Sequence, residues 1–357
     1  MGVNLPLKGF FIFFAGVWLL LLYGTKAEAI VLHPDNEPNL LTWVDRPDSD
    51  IIGRWGENAS CVAIAPNYVL TTTHQGGGIN TPVTIGGVTY SIERIVNHPK
   101  IQNTPAPSFS FVDLRLVKLR NANLETYADI YTLTDEPNIP GHAILAGFGL
   151  GRGSELTTWG IVYGYTWQNR SVHKNFSLRF ATNKIDAFAD DVIFASSGKK
   201  FKLDILFADF GEPGDTIYEG SIAEYDSGGG WFVKSDGAWK LAAINWGTEH
   251  AGISESWFRD ADNPNSISKD FIAGLRISSY ATWIVNTMEA GCGQYREADF
   301  NGDCVVDTAD LSHLASVWLN ANCDESNDFC EHGDLLRDGV VDIIDFGVFA
   351  SEWLVAN

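Results

Sequence analysis

The sequence predicts a large all-β body followed by a small helical module. Three observations carry that prediction. Short β-like runs, broken by Gly, Pro, Asn and Asp, recur from residue 51 to about 290. The 357 residues include 35 glycines, a count that suits a fold with many turns. After Cys292 the composition shifts, and residues 292–357 carry fourteen Asp or Glu against Arg296 and Arg337 alone.

The N-terminus reads as an export signal. Lys8 is the only charge ahead of an apolar run from Gly9 to Tyr23, and Ala27-Glu28-Ala29 gives a small-x-small pattern before Ile30. Residues 1–29 are therefore expected to be a signal peptide, cleaved after Ala29. The apolar run, about 15 residues, is shorter than the roughly 20 needed to span a bilayer. No second long apolar run follows, so no membrane span is expected after cleavage, and the protein is expected to be secreted or held at the cell surface.

The body comes next, over residues 30–290. Expected strands include Cys61–Ile64, Tyr68–Thr72, Val83–Ile85, Leu114–Leu119, Ala143–Ala146, Trp231–Val233 and Leu241–Ile244. One helix is expected at Tyr280–Met288, where Trp283, Ile284 and Thr287 share a face. Hydrophobic residues make up 45% of the chain, enough for a sizeable core. The formal net charge of −21 argues against sequence-independent nucleic-acid binding, which sets Lys and Arg against phosphates. It argues equally against adhesion to anionic lipid.

Three segments of the body carry chemistry-bearing residues. A strand-like run, Tyr68-Val69-Leu70-Thr71-Thr72-Thr73, delivers His74. Asp113 opens the alternating run Leu114–Leu119. Ser227 stands ahead of Gly228, Gly229 and Gly230. Serine attacks well only when a base takes its proton, and histidine does this near neutral pH. A buried carboxylate then holds the imidazole tautomer and stabilises the imidazolium. The chain order His, Asp, Ser differs from the Ser, Asp, His order of hydrolases with a Gly-x-Ser-x-Gly elbow. No paired carboxylates point to glycoside hydrolysis.

On these segments the body resembles the chymotrypsin-like serine protease family. His74 matches the family's Thr-Ala-Ala-His-Cys block, Asp113 its Asp-Ile-Ala-Leu block, and Ser227 its Gly-Asp-Ser-Gly-Gly-Pro block. Gly147-Phe148-Gly149 is similar to a Gly-Trp-Gly turn, and Tyr280–Ile284 to the terminal helix. The resemblance implies an all-β double six-stranded barrel with a short C-terminal helix, and a serine endopeptidase acting on protein or peptide substrates. It implies His74, Asp113 and Ser227 as a triad, and backbone N–H groups of Tyr225 and Ser227 as the oxyanion hole. Ser221 would lie at the base of the primary pocket, and Asn245, Trp246 and Gly247 would bind substrate. A new N-terminal Ile30-Val31 would place its ammonium beside Asp226. The sequence departs from the family at Gln75, which stands where a Cys follows the His, at Tyr225, which replaces a Gly, and at Gly230, which replaces a Pro. A catalytically weak or inactive binding protein on the same fold is the alternative that these departures leave open.

The last element, residues 291–357, repeats at an offset of 35 residues. The first loop sets Asp299, Asn301, Asp303, Asp307 and Asp310 at positions 1, 3, 5, 9 and 12, with the Val305 carbonyl at 7. That is the oxygen-ligand spacing of an EF-hand loop and points to Ca²⁺. The module resembles type I dockerins, which have two loop–helix calcium repeats and bind cohesin modules. The second loop then offers Asp334, Asp338, the Val340 carbonyl, Asp342 and Asp345, with Leu336 at position 3 supplying no oxygen. Thr308-Ala309 and Ile343-Ile344 fall at the pair often used to contact a cohesin-like partner. Four of five cysteines lie here. They allow three pairings, among which loop length leans toward Cys292–Cys304 and Cys323–Cys330. Cys61 is left over and reads as a buried free thiol.

Overall fold

A computed structural model describes residues 30–34, 38–99, 101–102, 109–169, 177–196, 199–266, 269–289, 297–300, 306–324 and 327–353. The expected signal peptide and the junction at residues 290–296 lie outside the described residues. The body is built on two large sheets. The first has seven strands, in the spatial order Val88–Tyr90, Val83–Ile85, Ile52–Trp55, Ala59–Ala65, Tyr68–Thr71, Arg115–Leu119, Ile92–Asn97. The second has eight. Seven run Arg179–Asn183, Ala143–Gly147, Gly230–Ser235, Ala238–Thr248, Phe271–Arg276, Lys199–Asp209, Ala187–Ser196, and Asp129–Ile130 pairs parallel to Ala238–Thr248. The expected all-β architecture is thus present, and among the described residues the two sheets hold seven and eight strands where six in each half was expected.

Alternation along the strands makes three apolar layers from two sheets. In Ala59–Ala65, Cys61 and Ala63 face a cluster with Trp55, Val69, Val83, Ile92 and Val117 inside the first sheet. Val62 and Ile64, on the opposite face, join Leu70, Leu116, Ile144, Phe180, Phe232, Ile244 and Leu275 between the sheets. Trp231, Val233, Leu145, Ala242 and Ile272 fill the far side of the second sheet. Because successive side chains point to opposite faces, a strand covered on both sides loses its polar alternation and reads as a continuous apolar run. Each fully buried Val, Leu, Ile or Phe contributes about 1.5–3 kcal/mol.

Helix α1 spans Ile277–Glu289, starting three residues before the expected bound. Ile277, Tyr280, Ala281 and Ile284 form its buried stripe, and the Tyr280 hydroxyl accepts a hydrogen bond from Asp204 N at 2.8 Å. A three-stranded sheet outside the expected set joins Arg152–Thr158, Ile161–Trp167 and Glu255–Trp257.

The C-terminal segment has its own apolar cluster of Ala298, Val306, Leu314, Val317, Val341 and Phe349. Helices α2 (Thr308–Ser316) and α3 (Ile343–Glu352) each begin with a capping box, built by Asp307 with Asp310 and by Asp342 with Asp345. The internal repeat in sequence is thus repeated in backbone conformation. Cys323 and Cys330 form a disulfide, and Cys61 is a buried free thiol, whose burial pushes its pKa up. Cys292 and Cys304 lie outside the described residues.

Candidate active site

The two sheets meet where the three singled-out side chains lie. Tyr68–Thr71 pairs with Arg115–Leu119, Thr71 opposite Arg115. That register sets Asp113 beside the turn that follows Thr71. The Asp113 carboxylate is fully buried. Its Oδ1 accepts from Thr73 N at 2.8 Å, Thr73 Oγ1 at 2.5 Å and His74 N at 2.8 Å. Its Oδ2 accepts from His74 Nδ1 at 2.5 Å and Trp246 Nε1 at 2.8 Å. Burial pushes its pKa up, but the His74 and Thr73 hydrogen bonds and the His74 charge outweigh this and hold it below the usual carboxylate value.

An ionised carboxylate can only accept, so Nδ1 of His74 carries the proton and Nε2 is left as acceptor. Nε2 lies 3.0 Å from Ser227 Oγ. The imidazole is 31% exposed and lines a cavity. Arg115 supports the turn from beneath. Its guanidinium donates to the carbonyls of Thr72 (2.8 Å), Thr73 (2.9 Å), Gly76 (2.8 Å) and Gly77 (3.2 Å). Sequence reasoning passed over Arg115, which reads locally as one more polar residue in an alternating strand.

Ser227 sits on the loop between Gly220–Ser221 and Gly230–Ser235, in the second sheet's half. Asp226, just before it, is fully buried and accepts from Ala223 N (2.9 Å), Gly149 N (2.8 Å) and Ile30 N (3.3 Å). Burial pushes its pKa up to about 7, against the pull of these three bonds. Gly149 is required here, since a Cβ would come within 2.5 Å of the Asp226 carboxyl. Ile30 is buried and has φ +60°, a backbone conformation that a β-branched residue rarely adopts. Tyr225 has φ +74°.

A cavity of about 370 Å³ opens beside Ser227, walled by Trp167, Ile222, Ala223, Tyr225, Trp246 and Gly247. Two residues expected in this cavity are placed elsewhere. Ser221 is fully buried and turns its hydroxyl back to the Ile222 carbonyl at 3.2 Å. Asn245 is also fully buried, and its amide donates to Ala146 O (2.9 Å) and Asp226 O (3.0 Å). Its side chain braces the Ser227 loop from behind and does not reach the cavity. Trp167, which the sequence did not mark, supplies a wall instead.

In the C-terminal segment, Asn301, Asp303 and Val305 lie outside the described residues. Asp299 lies 3.9 Å from Arg94. Asp310 is buried and accepts from Phe300 N (2.7 Å) and Asp307 N (2.9 Å). Asp345 repeats this with Leu336 N (3.1 Å) and Asp342 N (2.8 Å). Asp334, also buried, accepts from Asp338 N (3.0 Å) and Gly339 N (2.9 Å). The donor set is all oxygen, which suits a hard cation. Among the described residues, however, no three acidic, His or Cys side chains are gathered into a ready-made metal cluster.

No protein-family model and no curated protein matches the sequence. Among solved structures, the chain is similar to neuropsin, a serine protease expressed in the limbic system of mouse brain. The identity is 18% and the TM-score 0.43, over 68% of this chain and 95% of that one.

Proposed function

We propose that the chain is a serine endopeptidase. The carrying observation is the relay from Asp113 Oδ2 through His74 to Ser227 Oγ, with separations of 2.5 and 3.0 Å. Both lie within hydrogen-bond reach without any rearrangement. Ser227 Oγ attacks the scissile carbonyl as His74 Nε2 takes its proton. Asp113 stabilises the imidazolium that forms. His74 then hands the proton to the leaving amine, and water repeats the cycle on the acyl-enzyme. The N–H groups of Tyr225 and Ser227 face the developing oxyanion. Trp246 and Gly247 line the path of the substrate, and the apolar walls of Trp167, Ile222 and Ala223 favour an uncharged side chain beside the scissile bond.

The chain is proposed to be exported, with cleavage after Ala29 freeing the Ile30 ammonium beside Asp226. Cleavage would also abolish the strained Ile30 φ, because that torsion exists only while Ala29 is attached. The C-terminal segment is proposed to be a dockerin-like calcium module. Asp299, Asn301, Asp303, Val305, Asp307 and Asp310 would hold one ion, and Asp334, Asp338, Val340, Asp342 and Asp345 a second. The exposed Ile343 and Ile344, at 67% and 54%, support a docking face for a cohesin-like partner. Reaction of the mature protein with a fluorophosphonate probe tests the central reading: stoichiometric labelling of Ser227 is expected. Absence of labelling would favour a binding protein on the same fold.

A further inference from the structure

We infer that Ser60 is a positioning residue that keeps the oxyanion-binding turn in its reactive shape, a role that rests on the endopeptidase reading. Asp226 N donates to Ala223 O at 3.1 Å, closing a four-residue turn with Tyr225 in third place. A φ of +74° there is the type II arrangement, which favours glycine. A tyrosine fits a type I turn better. The two turns differ by a flip of the peptide between the second and third residues, here Glu224–Tyr225. That peptide carries the Tyr225 N–H. Relaxing Tyr225 to negative φ would therefore turn this N–H away from the oxyanion.

Among the described residues, Leu150 N donates to Glu224 O at 2.8 Å, a hydrogen bond that opposes the flip. It works only if the 147–150 turn stays in place against the 223–228 loop. Ser60 joins the two through Tyr225, beside the Gly149 N–Asp226 Oδ1 bond of 2.8 Å. Its hydroxyl accepts from Phe148 N at 2.9 Å and donates to Tyr225 O at 3.1 Å. Its backbone N–H donates to Ser227 O at 2.8 Å. The side chain is fully buried, and Gly228 lies so close that a Cβ there would fall 2.1 Å from Ser60 O. A single hydroxyl thus connects the segment that clamps the peptide to the residue that strains it.

The test is a double-mutant cycle in the mature full-length protein. Wild type, S60A, Y225G and S60A/Y225G are compared by casein turnover and by the rate of fluorophosphonate labelling. Thermal unfolding serves as a control for folding. S60A should lower kcat roughly 10- to 100-fold, part of the about 10²–10³ lost with a whole oxyanion donor, while KM moves less than about twofold. In the Y225G background, where positive φ costs little, the same change should cost less than about threefold. S60C, nearly isosteric but a weak donor, should fall between wild type and S60A, and it replaces S60A if the alanine variant does not fold. Equal losses in both backgrounds, or no loss in wild type, would overturn the inference. A wild type that neither labels nor turns over casein overturns the endopeptidase reading and this role with it.

Discussion

Trp246 donates its indole N–H, at 2.8 Å, to the same Asp113 oxygen that accepts the hydrogen bond from His74 Nδ1. A residue that walls the cavity beside Ser227 is thereby also part of the support for the buried carboxylate. Trp246→Phe keeps the aromatic wall and removes only the donor. A hydrogen bond to a charged acceptor is worth about 1.5–3 kcal/mol. The lowered pKa of Asp113 means that its charge persists well into acid. With one donor fewer, that pKa rises and the charge is lost at a higher pH. The variant should lose about tenfold in kcat near neutral pH. Wild-type kcat in Trp246→Phe would sink this assignment.

The relay itself predicts a graded pattern. Ser227→Ala should abolish probe labelling with folding intact. Asp113→Asn should lower turnover by about 10⁴-fold, because the amide holds the wrong imidazole tautomer. Circular dichroism and steady-state hydrolysis measure both, and wild-type turnover in Ser227→Ala would remove Ser227 from the mechanism.

Ile30 and Asp226 predict a pH-dependent difference in stability. While Ile30 is an ordinary peptide amide, burial pushes Asp226 up to about 7. Between about pH 4 and 7 the native state then holds a proton that the unfolded chain has lost, so stability falls as pH rises through that window. A free ammonium at Ile30 compensates the buried carboxylate and flattens the fall. A chain with one extra alanine before Ile30 should lose more thermal stability between pH 5 and 8 than the chain beginning at Ile30, and most of its activity. Identical pH dependence, with both N-termini confirmed by mass spectrometry, would count against the pair.

The C-terminal repeat predicts two unequal calcium affinities, the first loop tighter because Leu336 gives the second no oxygen at position 3. Titration calorimetry on the full chain should resolve both. Asp310→Asn should abolish the tighter event and Asp345→Asn the weaker one. Each ion bound should raise the melting temperature by linkage. Absence of heat from the wild-type chain would refute calcium binding.

Much of this was legible in the sequence. The strand cores at Cys61–Ile64 and Leu241–Ile244, the terminal helix, and the chain order of His74, Asp113 and Ser227 follow from pattern and spacing, whereas loop length only leaned toward the Cys323–Cys330 pairing among three that the sequence left open. What was not legible depends on the direction of side chains set by distant partners. Nothing near Asn245 or Ser221 shows that both turn inward. Nothing near Trp246 shows that its N–H reaches a carboxylate 133 positions earlier. Ser60 and Arg115 read as unremarkable strand residues because their partners are backbone groups contributed by other segments. The additional strands went uncounted because pairings such as Ile161–Trp167 with Glu255–Trp257 bridge long separations, and short runs with partly polar faces carry a weak signal.

His74 and Asp113 ride on the first sheet and Ser227 on the second, so the 3.0 Å between Nε2 and Oγ is a vernier reading of how the two halves are seated. A misplacement of about 1 Å can cost about 10²-fold in rate. The apolar layer of Val62, Leu70, Phe180, Phe232 and Leu275 thus sets tempo as well as solidity. On the endopeptidase proposal, shaving a methyl group from that layer, at a residue that touches no substrate, should slow turnover before it lowers the melting temperature.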